Sequence, residues 1–379
     1  GLRDSCTSMA PSPPDITIPD DLKPADGRFG SGPSKVRPEQ IRAVLDATPE
    51  VMGTSHRQAP VRFVVGSLRN GLAELLRLPD GYEVVLGNGG THAFWDALVA
   101  GFVEQRSVHA TFGEFSSKFA KNVAAAPFLD DPVLVESEVG SHPELSAVEG
   151  ADTYALTHNE TSTGVTMPVR RPAGTSAADD QLVVVDATSA AGGIRVDLSE
   201  CDAYYFSPQK ALASDGGLWL AAVSPAAIER IGARAAAGDR WIPPFVDLQA
   251  ALENSRKDQT VNTPLLMAAA QVSWICHNGG LNWAAARCEE SAGHLYGWAD
   301  AHELATPFVS EPAKRSPVVG TIDFAESVDA SQIAAALRAN GIVDTEPYRK
   351  LGRNQLRIAM FPAIDPDDVR ALTGCIDFV

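Results

Sequence analysis

Leu182-Val183-Val184-Val185-Asp186 is one of two stretches that decide the fold of this chain. The other is Ala203-Tyr204-Tyr205-Phe206, which continues into Ser207-Pro208-Gln209-Lys210. Each contains a short apolar run bounded by polar residues, which is typical of a buried strand in a parallel sheet. The first predicted strand therefore carries an acid, Asp186, at its C-terminal end. The second predicted strand leads directly to a lysine, Lys210.

Asp186 and Lys210 together indicate one particular cofactor. A lysine amine forms a Schiff base with pyridoxal 5′-phosphate (PLP), and a carboxylate pairs with the pyridine nitrogen so that the ring stays an electron sink. Taken alone, the same two residues also fit a surface lysine beside a strand-end acid. The motifs elsewhere in the chain decide between these two interpretations.

The length and charge of the chain limit the classes of protein to which it can belong. Its 379 residues favour two domains, and a hydrophobic share of 45% is ordinary for a globular protein. The net charge of −17 argues against a surface for nucleic acid or an anionic membrane, although local arginines still allow an anionic substrate. No apolar run approaches the ~20 residues that span a bilayer, and the first residues lack the pattern of a secretory signal.

The five cysteines are scattered along the sequence and form no CxxC pair. This spacing favours reduced thiols in a cytoplasmic protein and gives no basis for a zinc site or a disulfide framework. The sequence also contains no HExxH motif and no paired metal ligands, so no metal is predicted.

Predicted strands and helices alternate through most of the chain, which indicates an α/β core around a mostly parallel sheet. Residues 10–28, rich in Pro and Asp, are predicted to form an arm. Two helices within residues 268–301 lead to a last stretch that reads strand, helix, strand, helix, as expected of a small α+β unit. The predicted organisation is an N-terminal arm at 1–28, a large domain at 29–280 and a small domain at 281–379.

Gly87-Asn88-Gly89-Gly90-Thr91 lies between a predicted strand and a predicted helix. Glycines let the backbone approach an anion, and the start of a helix supplies N–H groups and the positive end of its dipole. This pattern predicts a phosphate site, to which Thr91 can add a hydroxyl group. Glycine-rich turns of this kind are also common without any ligand, and the stretch is neither a Walker A loop nor a GxGxxG motif.

The stretch from Thr157 to Val165 places several polar side chains at the C-terminal end of another apolar strand. Ligands of α/β proteins bind at such strand ends, so this stretch is a candidate part of the site. The alternative interpretation is a capped turn.

Two basic clusters stand out in this acidic chain. Thr54-Ser55-His56-Arg57 contains a His-Arg pair of the kind that binds a phosphate or a carboxylate. The stretch from Tyr348 to Arg357 contains four arginines or lysines. The last of them, Arg357, lies inside a predicted apolar strand. A solvated face is the common explanation for such charges. A cation in an apolar strand nevertheless needs an anionic partner, either a structural acid or a substrate.

Taken together, these motifs resemble those of the phosphoserine aminotransferases, a family of fold-type I PLP enzymes in the class V aminotransferase group. The resemblance covers most of the chain, from Phe29 to Arg357, with the motifs in the family's order. It implies a large domain around a mostly parallel seven-stranded sheet and a small α+β C-terminal domain. The stretches that match the family's most specific signatures are Ser55-His56-Arg57, Asn159-Glu160-Thr161, Gln209-Lys210 and Asn262-Thr263-Pro264.

The resemblance implies roles for residues around the cofactor. Lys210 forms the Schiff base, Asp186 pairs with the pyridine nitrogen, and Thr161 lies beside the ring. Phe115 stacks on the ring at a position where the family often has Trp. The implied phosphate contacts are Gly90, Thr91 and Gln209, together with Asn262 and Thr263 from the partner subunit of a homodimer with shared active sites.

The resemblance also implies roles toward the substrate. Arg357 binds the α-carboxylate, and Arg57 binds the distal anion with His56. The chain departs from the family at Lys350 and the residue after it, because many members carry His-Arg there for the substrate phosphate. The phosphate is therefore assigned to His56, Arg57 and Lys350, with Arg353 as a further candidate.

The implied reaction transfers an amino group from L-glutamate to a phosphorylated 2-oxo acid, 3-phosphohydroxypyruvate. The products are O-phospho-L-serine, for serine biosynthesis, and 2-oxoglutarate. Whether 4-phosphohydroxy-L-threonine of vitamin B6 synthesis is also used stays open. Two alternatives remain: a class V aminotransferase for another acidic oxo acid, and a non-catalytic α/β dimer that binds an anion. A cysteine desulfurase fits less well, because no cysteine lies beside the motifs.

Overall fold

The computed structural model of the chain describes residues 14–48, 50–259 and 264–379. Asn262 and Thr263 therefore lie outside the described residues. Within those ranges the α-helices are α1 Pro38–Asp46, α2 Ala59–Leu75, α3 Gly90–Gly101, α4 Glu114–Ala124, α5 Pro225–Ala237, α6 Leu248–Arg256, α7 Pro264–His277, α8 Gly280–Ala301, α9 Ala330–Ala339 and α10 Pro366–Phe378.

The strands of the same ranges divide into a large sheet, a small sheet and one short hairpin. In chain order they are β1 Glu83–Asn88, β2 Ser107–Thr111, β3 Val133–Glu136, β4 Thr153–Thr157, β5 Asn159–Glu160, β6 Val165–Thr166, β7 Leu182–Asp186, β8 Ala203–Phe206, β9 Leu218–Val223, β10 Ala305–Pro307, β11 Val319–Phe324 and β12 Gln355–Ala359.

Seven strands form the large sheet, in the order β1-β9-β8-β7-β4-β2-β3. Neighbours from β8 to β3 are parallel, whereas β9 runs antiparallel to both of its partners. The predicted α/β fold with a mostly parallel seven-stranded sheet is thus confirmed. The strands β7 and β8 lie side by side, with Asp186 in register with Tyr205.

The side chains of β7 alternate between the two faces of the sheet, and helices cover each face. Val183 and Val185 belong to a core cluster that includes residues of α2, α7 and α8. Leu182 and Val184 belong to another cluster with residues of α3, α4, α5 and α6. All five residues of β7 are consequently buried. A continuous apolar run is the pattern that a strand covered on both faces requires.

The strands β10, β11 and β12 form the small antiparallel sheet. This sheet packs with α9, α10 and part of α8 in a third core cluster. The helix α8 joins the two units, because Leu281 and Ala284 pack in the core of the large sheet, whereas Cys288 and Leu295 pack in that of the small one. The division at residues 280 and 281 stays a prediction and falls at the start of this shared helix.

The described part of the N-terminal segment contacts the small unit before it reaches Lys210. The backbone N–H of Ile18 donates to Oδ1 of Asn340 at 2.9 Å, and the N–H of Ala359 donates to the carbonyl of Phe29 at 3.0 Å. The chain then continues to Ser31, whose carbonyl accepts a hydrogen bond from Lys210 Nζ. The segment therefore connects the small unit to the lysine.

In the described part of the chain, no helix is long and apolar enough to cross a membrane. The same residues contain no group of three or more His, Cys, Asp or Glu side chains that could hold a metal ion. Four of the cysteines lie in the described ranges, and all are free thiols: Cys201, Cys276, Cys288 and Cys375.

Candidate active site

Asp186 and Lys210 face a single cavity at the carboxyl end of the large sheet. Asp186 is the last residue of β7, and Lys210 follows the adjacent parallel strand β8. Both are buried, with exposures of 6% and 8%, and both line a cavity of about 420 Å³. The parallel arrangement of the two strands thus delivers the predicted acid and the predicted amine to the same space.

The carboxylate of Asp186 is held by the residue two positions along the chain. Its Oδ1 accepts hydrogen bonds from the Thr188 N–H at 2.9 Å and from the Thr188 hydroxyl at 2.6 Å. Burial raises the pKa of Asp186 to about 6, although the bonds from Thr188 act in the opposite direction. At neutral pH the group is therefore mostly ionised and suited to pair with a cationic ring nitrogen.

Lys210 has the environment of a reactive amine. Burial lowers its pKa to about 7, and the positive charge of Arg357 lowers it further, while the charges of Asp186 and Glu160 raise it. A large fraction of the amine is consequently neutral, and nucleophilic, near neutral pH. Gly32 closes one side of this space, because a Cβ added there would collide with Nζ and Cε of Lys210.

The first turn of α3 forms a second wall of the cavity. Gly89 and Gly90 have φ angles of 103° and 71°, which favour glycine, and α3 begins at Gly90. Gln209 lies in the same lining, and its side-chain amide has N–H donors of the kind that an anion accepts. The start of an α-helix such as α3 attracts anions, so this wall suits a phosphate group.

Thr91 lines the same wall, but its polar groups contact protein atoms. Its N–H donates to Ser207 Oγ at 2.8 Å. Its hydroxyl lies 2.7 Å from the Ser207 hydroxyl and 2.8 Å from the Thr188 hydroxyl. Thr91 is thus brought to the predicted place, together with two hydroxyl residues that the sequence analysis does not single out.

The polar stretch after β4 forms a third wall. Asn159 Nδ2 and the Thr161 hydroxyl both donate to Ser189 Oγ at 2.8 Å. Asn159 Oδ1 is buried and has no partner, and both Asn159 and Thr161 line the cavity. An unpaired buried acceptor carries a free-energy cost that a ligand with a donor group removes.

Phe115 lines the cavity from the first turn of α4, as the predicted stacking residue should. The buried carboxylate of Glu160 holds this turn, because it accepts from the Ser116 N–H at 3.0 Å and the Ser116 hydroxyl at 3.0 Å. The Ser162 hydroxyl also donates to Glu160, at 2.7 Å. Gly113 has no room for a Cβ beside this carboxylate.

Arg357 lies on β12 and points from the small unit to the third wall. Its Nη1 donates to the carbonyl of Thr161 at 3.2 Å, and its buried Nε has no hydrogen-bond partner. Burial lowers the pKa of Arg357, and its guanidinium lies 5.6 Å from the ring of Tyr348. Arg357 does not belong to the lining of the 420 Å³ cavity, but its charge acts on Lys210.

The other predicted cations are not brought to Lys210 within one chain. His56 lines a separate depression with Gly87 and Phe245, and Arg57 is exposed. Lys350 is exposed and forms an ion pair with Glu114.

Arg353 is engaged elsewhere in the structure. Its guanidinium donates to Asp323 at 3.0 Å and lies 4.4 Å from the ring of Phe308. The anionic partner of Arg353 is therefore a structural acid and not a substrate.

The sequence analysis misses several residues that line the cavity or support it. Thr188 and Ser189 follow Asp186 by two and three residues, and Ser207 directly follows β8, so their position at strand ends was an available signal. Two aromatic residues of α3, His92 and Trp95, also line the cavity. Their spacing of three residues is as common among core residues of a helix as among residues that line a cavity. Their place in the lining depends on how α3 packs, which the sequence does not reveal.

The lining of the cavity fits PLP. The buried acid Asp186 could pair with a ring nitrogen, and the amine of Lys210, with its lowered pKa, could attack an aldehyde carbon in the same cavity. The start of α3 offers a phosphate site, and Asn159 Oδ1 is a buried acceptor without a partner, which a hydroxyl group of a ligand can satisfy. This set of groups matches the donor and acceptor pattern of the cofactor.

Comparisons with known proteins give the same picture. The family model of the class V aminotransferases matches residues 30–345. A Rhodococcus opacus protein named phosphoserine aminotransferase is 57% identical over 366 residues, which are 96% of this chain and 97% of the relative. A protein of Mycolicibacterium vanbaalenii, whose name assigns it provisionally to the same enzyme, is 60% identical over 368 residues, 96% of this chain and 98% of the relative.

Among solved structures, the fold is similar to that of a phosphoserine aminotransferase from Cytophaga hutchinsonii. The two structures superpose with a TM-score of 0.83, at 24% sequence identity, over 92% of this chain and 97% of the other. At this identity the likeness establishes the fold.

Proposed function

Because the chain belongs to the class V aminotransferases, we propose that it transfers an amino group from L-glutamate to 3-phosphohydroxypyruvate, giving O-phospho-L-serine and 2-oxoglutarate. The observation that carries this proposal is the 57% identity, over 96% of the chain, to a relative named phosphoserine aminotransferase. A match of that extent includes both the cofactor wall on the large sheet and Arg357 on the small one.

The cofactor is pyridoxal 5′-phosphate, which when bound withdraws negative charge from the substrate α-carbon. We assign Lys210 to its aldehyde carbon and Asp186 to its ring nitrogen. Gly90 and Gln209 are assigned to its phosphate, and Phe115 to one face of its ring. The support for these assignments is that all five residues line one cavity.

Lys210 is the residue that we assign to proton transfer. With the cofactor and substrate bound, Nζ would take the proton from the substrate α-carbon and would deliver a proton to the carbon that carries the cofactor's aldehyde. A pKa of about 7 suits both steps, because a group that titrates near the working pH serves as base and as acid. Burial of the amine also keeps bulk water away from the reacting carbon.

Arg357 is assigned to the substrate α-carboxylate. Its Nε is buried without a partner, so a carboxylate at this position would satisfy a donor that the protein leaves unpaired. The guanidinium fork binds both carboxylate oxygens and so fixes the direction of the α-carbon–hydrogen bond toward Lys210.

We propose that His56 and Arg57 bind the distal anion of the substrate in the active site of a second subunit. In a single chain, His56 faces a depression beside Gly87 and Asn88, and the cavity begins at the next residue, Gly89. The depression and the cavity are therefore adjacent on the surface. If a second copy of the chain covered this surface, His56 and Arg57 of one copy would lie beside the cavity of the other. Asn262 and Thr263 keep their predicted role toward the phosphate of the partner's cofactor.

A homodimer is further supported by the apolar side chains that one chain exposes. Phe63, Trp241, Phe245 and Leu45 are between 67% and 77% exposed. Phe245 lies at the loop that bounds the cavity, since a Cβ at Gly89 would be 3.2 Å from its ring. Large exposed apolar side chains beside a polar cleft are typical of a surface that a protein partner covers.

A second candidate function is amino transfer to another acidic oxo acid. The observation that favours it is the ion pair between Lys350 and Glu114. Lys350 takes the place of the phosphate-binding His that the resemblance to the family leads us to expect, and this ion pair neutralises its charge. A substrate whose distal anion is a carboxylate needs fewer positive charges than a dianionic phosphate.

A transamination screen separates the two candidates. The purified holoenzyme is incubated with L-glutamate and, in turn, phosphohydroxypyruvate, oxaloacetate, pyruvate and glyoxylate, and 2-oxoglutarate is measured. We expect kcat/KM to be highest for phosphohydroxypyruvate. A higher value for oxaloacetate would transfer the assignment to the second candidate, and no 2-oxoglutarate with any acceptor would contradict both.

We also propose that the enzyme works in the cytoplasm. The described cysteines are free thiols, and three of the four are buried: Cys201, Cys288 and Cys375. Burial also raises the pKa of these thiols, which keeps them protonated and unreactive. The part of the chain that the structure describes therefore relies on no disulfide bond for its stability.

A further inference from the structure

Four polar residues of the cavity wall form an unbroken chain of hydrogen bonds. Ser207 Oγ lies 2.7 Å from Thr91 Oγ1, and Thr91 Oγ1 lies 2.8 Å from Thr188 Oγ1. Thr188 Oγ1 lies 2.6 Å from Asp186 Oδ1. The chain runs from the first turn of α3, which forms the phosphate wall, to the acid assigned to the ring nitrogen. We name Ser207, Thr91, Thr188 and Asp186 the hydroxyl chain.

The directions of these bonds follow from the number of protons. An ionised Asp186 can only accept, so the Thr188 hydroxyl donates its single proton to Oδ1. Thr188 must therefore accept from Thr91, and Thr91 must in turn accept from Ser207. The Thr91 N–H, which donates to Ser207 Oγ at 2.8 Å, is compatible with this order. All three hydroxyl protons then point toward Asp186.

This order leaves Thr91 without a free donor for a ligand. Its hydroxyl proton goes to Thr188 and its N–H goes to Ser207. Thr91 is only 7% exposed and Ser207 only 2%, so water does not compete readily for these groups. The neighbouring Gly90 and Gln209 stay in the cavity lining and serve the phosphate in its place.

We propose that Thr91 and Thr188 are positioning residues for Asp186, and that the Thr91 hydroxyl serves this acid and not the cofactor phosphate. The proposal rests on the role assigned above to Asp186 at the ring nitrogen. Thr188, which follows that acid by two residues, then orients the carboxylate toward the ring nitrogen. The role of Thr91 changes from phosphate contact to support of this acid. The hydroxyl chain then holds the acid at the ring end, while Gly90 and Gln209 serve the phosphate end.

The hydroxyl chain also has a consequence for pH dependence. The bonds from Thr188 lower the pKa of Asp186 against the effect of burial. The titratable groups that act on Asp186 or feel its charge are Glu160, Lys210, Tyr204 and Tyr205, and they remain in place when a hydroxyl is removed. Loss of the Thr188 hydroxyl should therefore raise the pKa of Asp186. Cofactor affinity falls at low pH as Asp186 becomes protonated, and this fall, the acid limb of the pH profile, should move to higher pH.

The test compares the affinity of the apoenzyme for PLP and for pyridoxal, which lacks the phosphate group. The variants are Thr91→Val, Thr188→Val and Thr188→Ser, with Thr166→Val as a matched control. Thr166 also donates its hydroxyl, to the His158 carbonyl at 3.1 Å, but it does not line the cavity. Dissociation constants are measured from cofactor absorbance between pH 5 and 9.

We expect Thr188→Val to weaken both ligands by a similar factor of about ten, the effect of one lost hydrogen bond to a charged group. Thr91→Val should weaken both ligands equally but less, by about threefold, because its hydroxyl bonds to a neutral group. Thr188→Ser should restore affinity, and Thr166→Val should leave it unchanged. In Thr188→Val the acid limb should move to higher pH. If Thr91→Val weakened PLP but not pyridoxal, its hydroxyl would serve the phosphate and the proposal would be wrong.

Two further outcomes are informative. Unchanged affinity and an unmoved acid limb in Thr188→Val would also overturn the proposal, and Thr188→Ala repeats the measurement should the valine variant fold poorly. Asp186→Asn serves as the reference for the role of the acid itself. If Asp186→Asn bound both ligands as the wild type does, the assignment of Asp186 would fail, separately from the hydroxyl chain.

Discussion

Asp186 and Lys210 are buried at the ends of two adjacent strands, whereas Arg57 and Lys350 are exposed on segments far from each other in the sequence. The first pair lines one cavity of a single chain. The second pair lies outside that cavity, with Lys350 bound to Glu114. A single chain thus brings together the two residues assigned to the ring and aldehyde of the cofactor, whereas the cations assigned to the distal anion lie apart from them.

The difference between the two ends has a physical origin. A parallel sheet carries its strand ends to one edge, so sheet order alone brings an acid and an amine together. Binding a dianion at the protein surface needs several cations with matched positions, and one chain of net charge −17 keeps many of its cations in ion pairs. The predictions below test this contrast, from the largest expected effect to the smallest.

Replacement of the lysine should have the largest effect. Lys210→Ala should lose nearly all turnover while still binding PLP without a covalent link, because both the nucleophile and the proton carrier are removed. Turnover and the visible absorption band of the cofactor are measured. Lys257→Ala, which removes an exposed lysine, is the matched control. Wild-type turnover in Lys210→Ala would refute the assignment of this residue.

The lowered pKa of Lys210 predicts when the apoenzyme captures its cofactor. Only the neutral amine attacks an aldehyde, so capture should speed up as the pH rises and reach half its maximum at about pH 7. At that pH the neutral fraction is on the order of a thousandfold larger than for an exposed lysine of pKa 10.5. Stopped-flow absorbance measures the rate. A rate that still climbed steeply above pH 9 would mean that Lys210 titrates as an ordinary lysine.

The two arginines should separate in their kinetic effects. Both substrates carry an α-carboxylate, so Arg357→Ala should lower kcat/KM of both half-reactions by about 30- to 1000-fold. Arg57→Ala should reduce the reaction of the phosphorylated substrate more than that of glutamate, because bonds to a dianion are stronger. Single-turnover kinetics measure each half-reaction, with Arg370→Ala as a surface control. Equal losses for both substrates in Arg57→Ala would contradict its assignment to the phosphate.

Lys350 should have the smallest effect, because its ion pair with Glu114 is exposed. We expect Lys350→Ala to lower kcat/KM for phosphohydroxypyruvate by about two- to tenfold and to leave the value for glutamate within twofold. Steady-state kinetics with each substrate measure the change. An unchanged value for phosphohydroxypyruvate would assign Lys350 to the solvated face that its charge run also fits.

The sequence indicated that Asp186 and Lys210 lie together, but it did not indicate where the cations assigned to the substrate lie. Apolar runs such as Leu182–Asp186 identify strands buried on both faces, and strand ends identify ligand positions. The helices α5 and α6 were not predicted. They cover the sheet face of Val184, and their sequences carry no motif near the site.

Long-range pairing was the part that the sequence did not reveal. Arg353 finds Asp323, and Lys350 finds Glu114, at sequence separations of 30 and 236 residues. Charge runs contain no information about such partners, which depend on how the two units pack. The hydrogen bonds of Thr91 had the same cause, because Ser207 and Thr188 come from other strand ends.

The most direct test of the contrast between the two ends uses mixed dimers of one inactive and one impaired variant. Lys210→Ala and Arg57→Ala subunits, each with a different affinity tag, are combined and the hybrid dimer is purified. If Arg57 serves the site of the partner subunit, one of the two sites contains both an intact Lys210 and an intact Arg57. The account predicts that the hybrid regains up to half of wild-type activity toward phosphohydroxypyruvate. A hybrid no more active than the average of its two parent variants would contradict it.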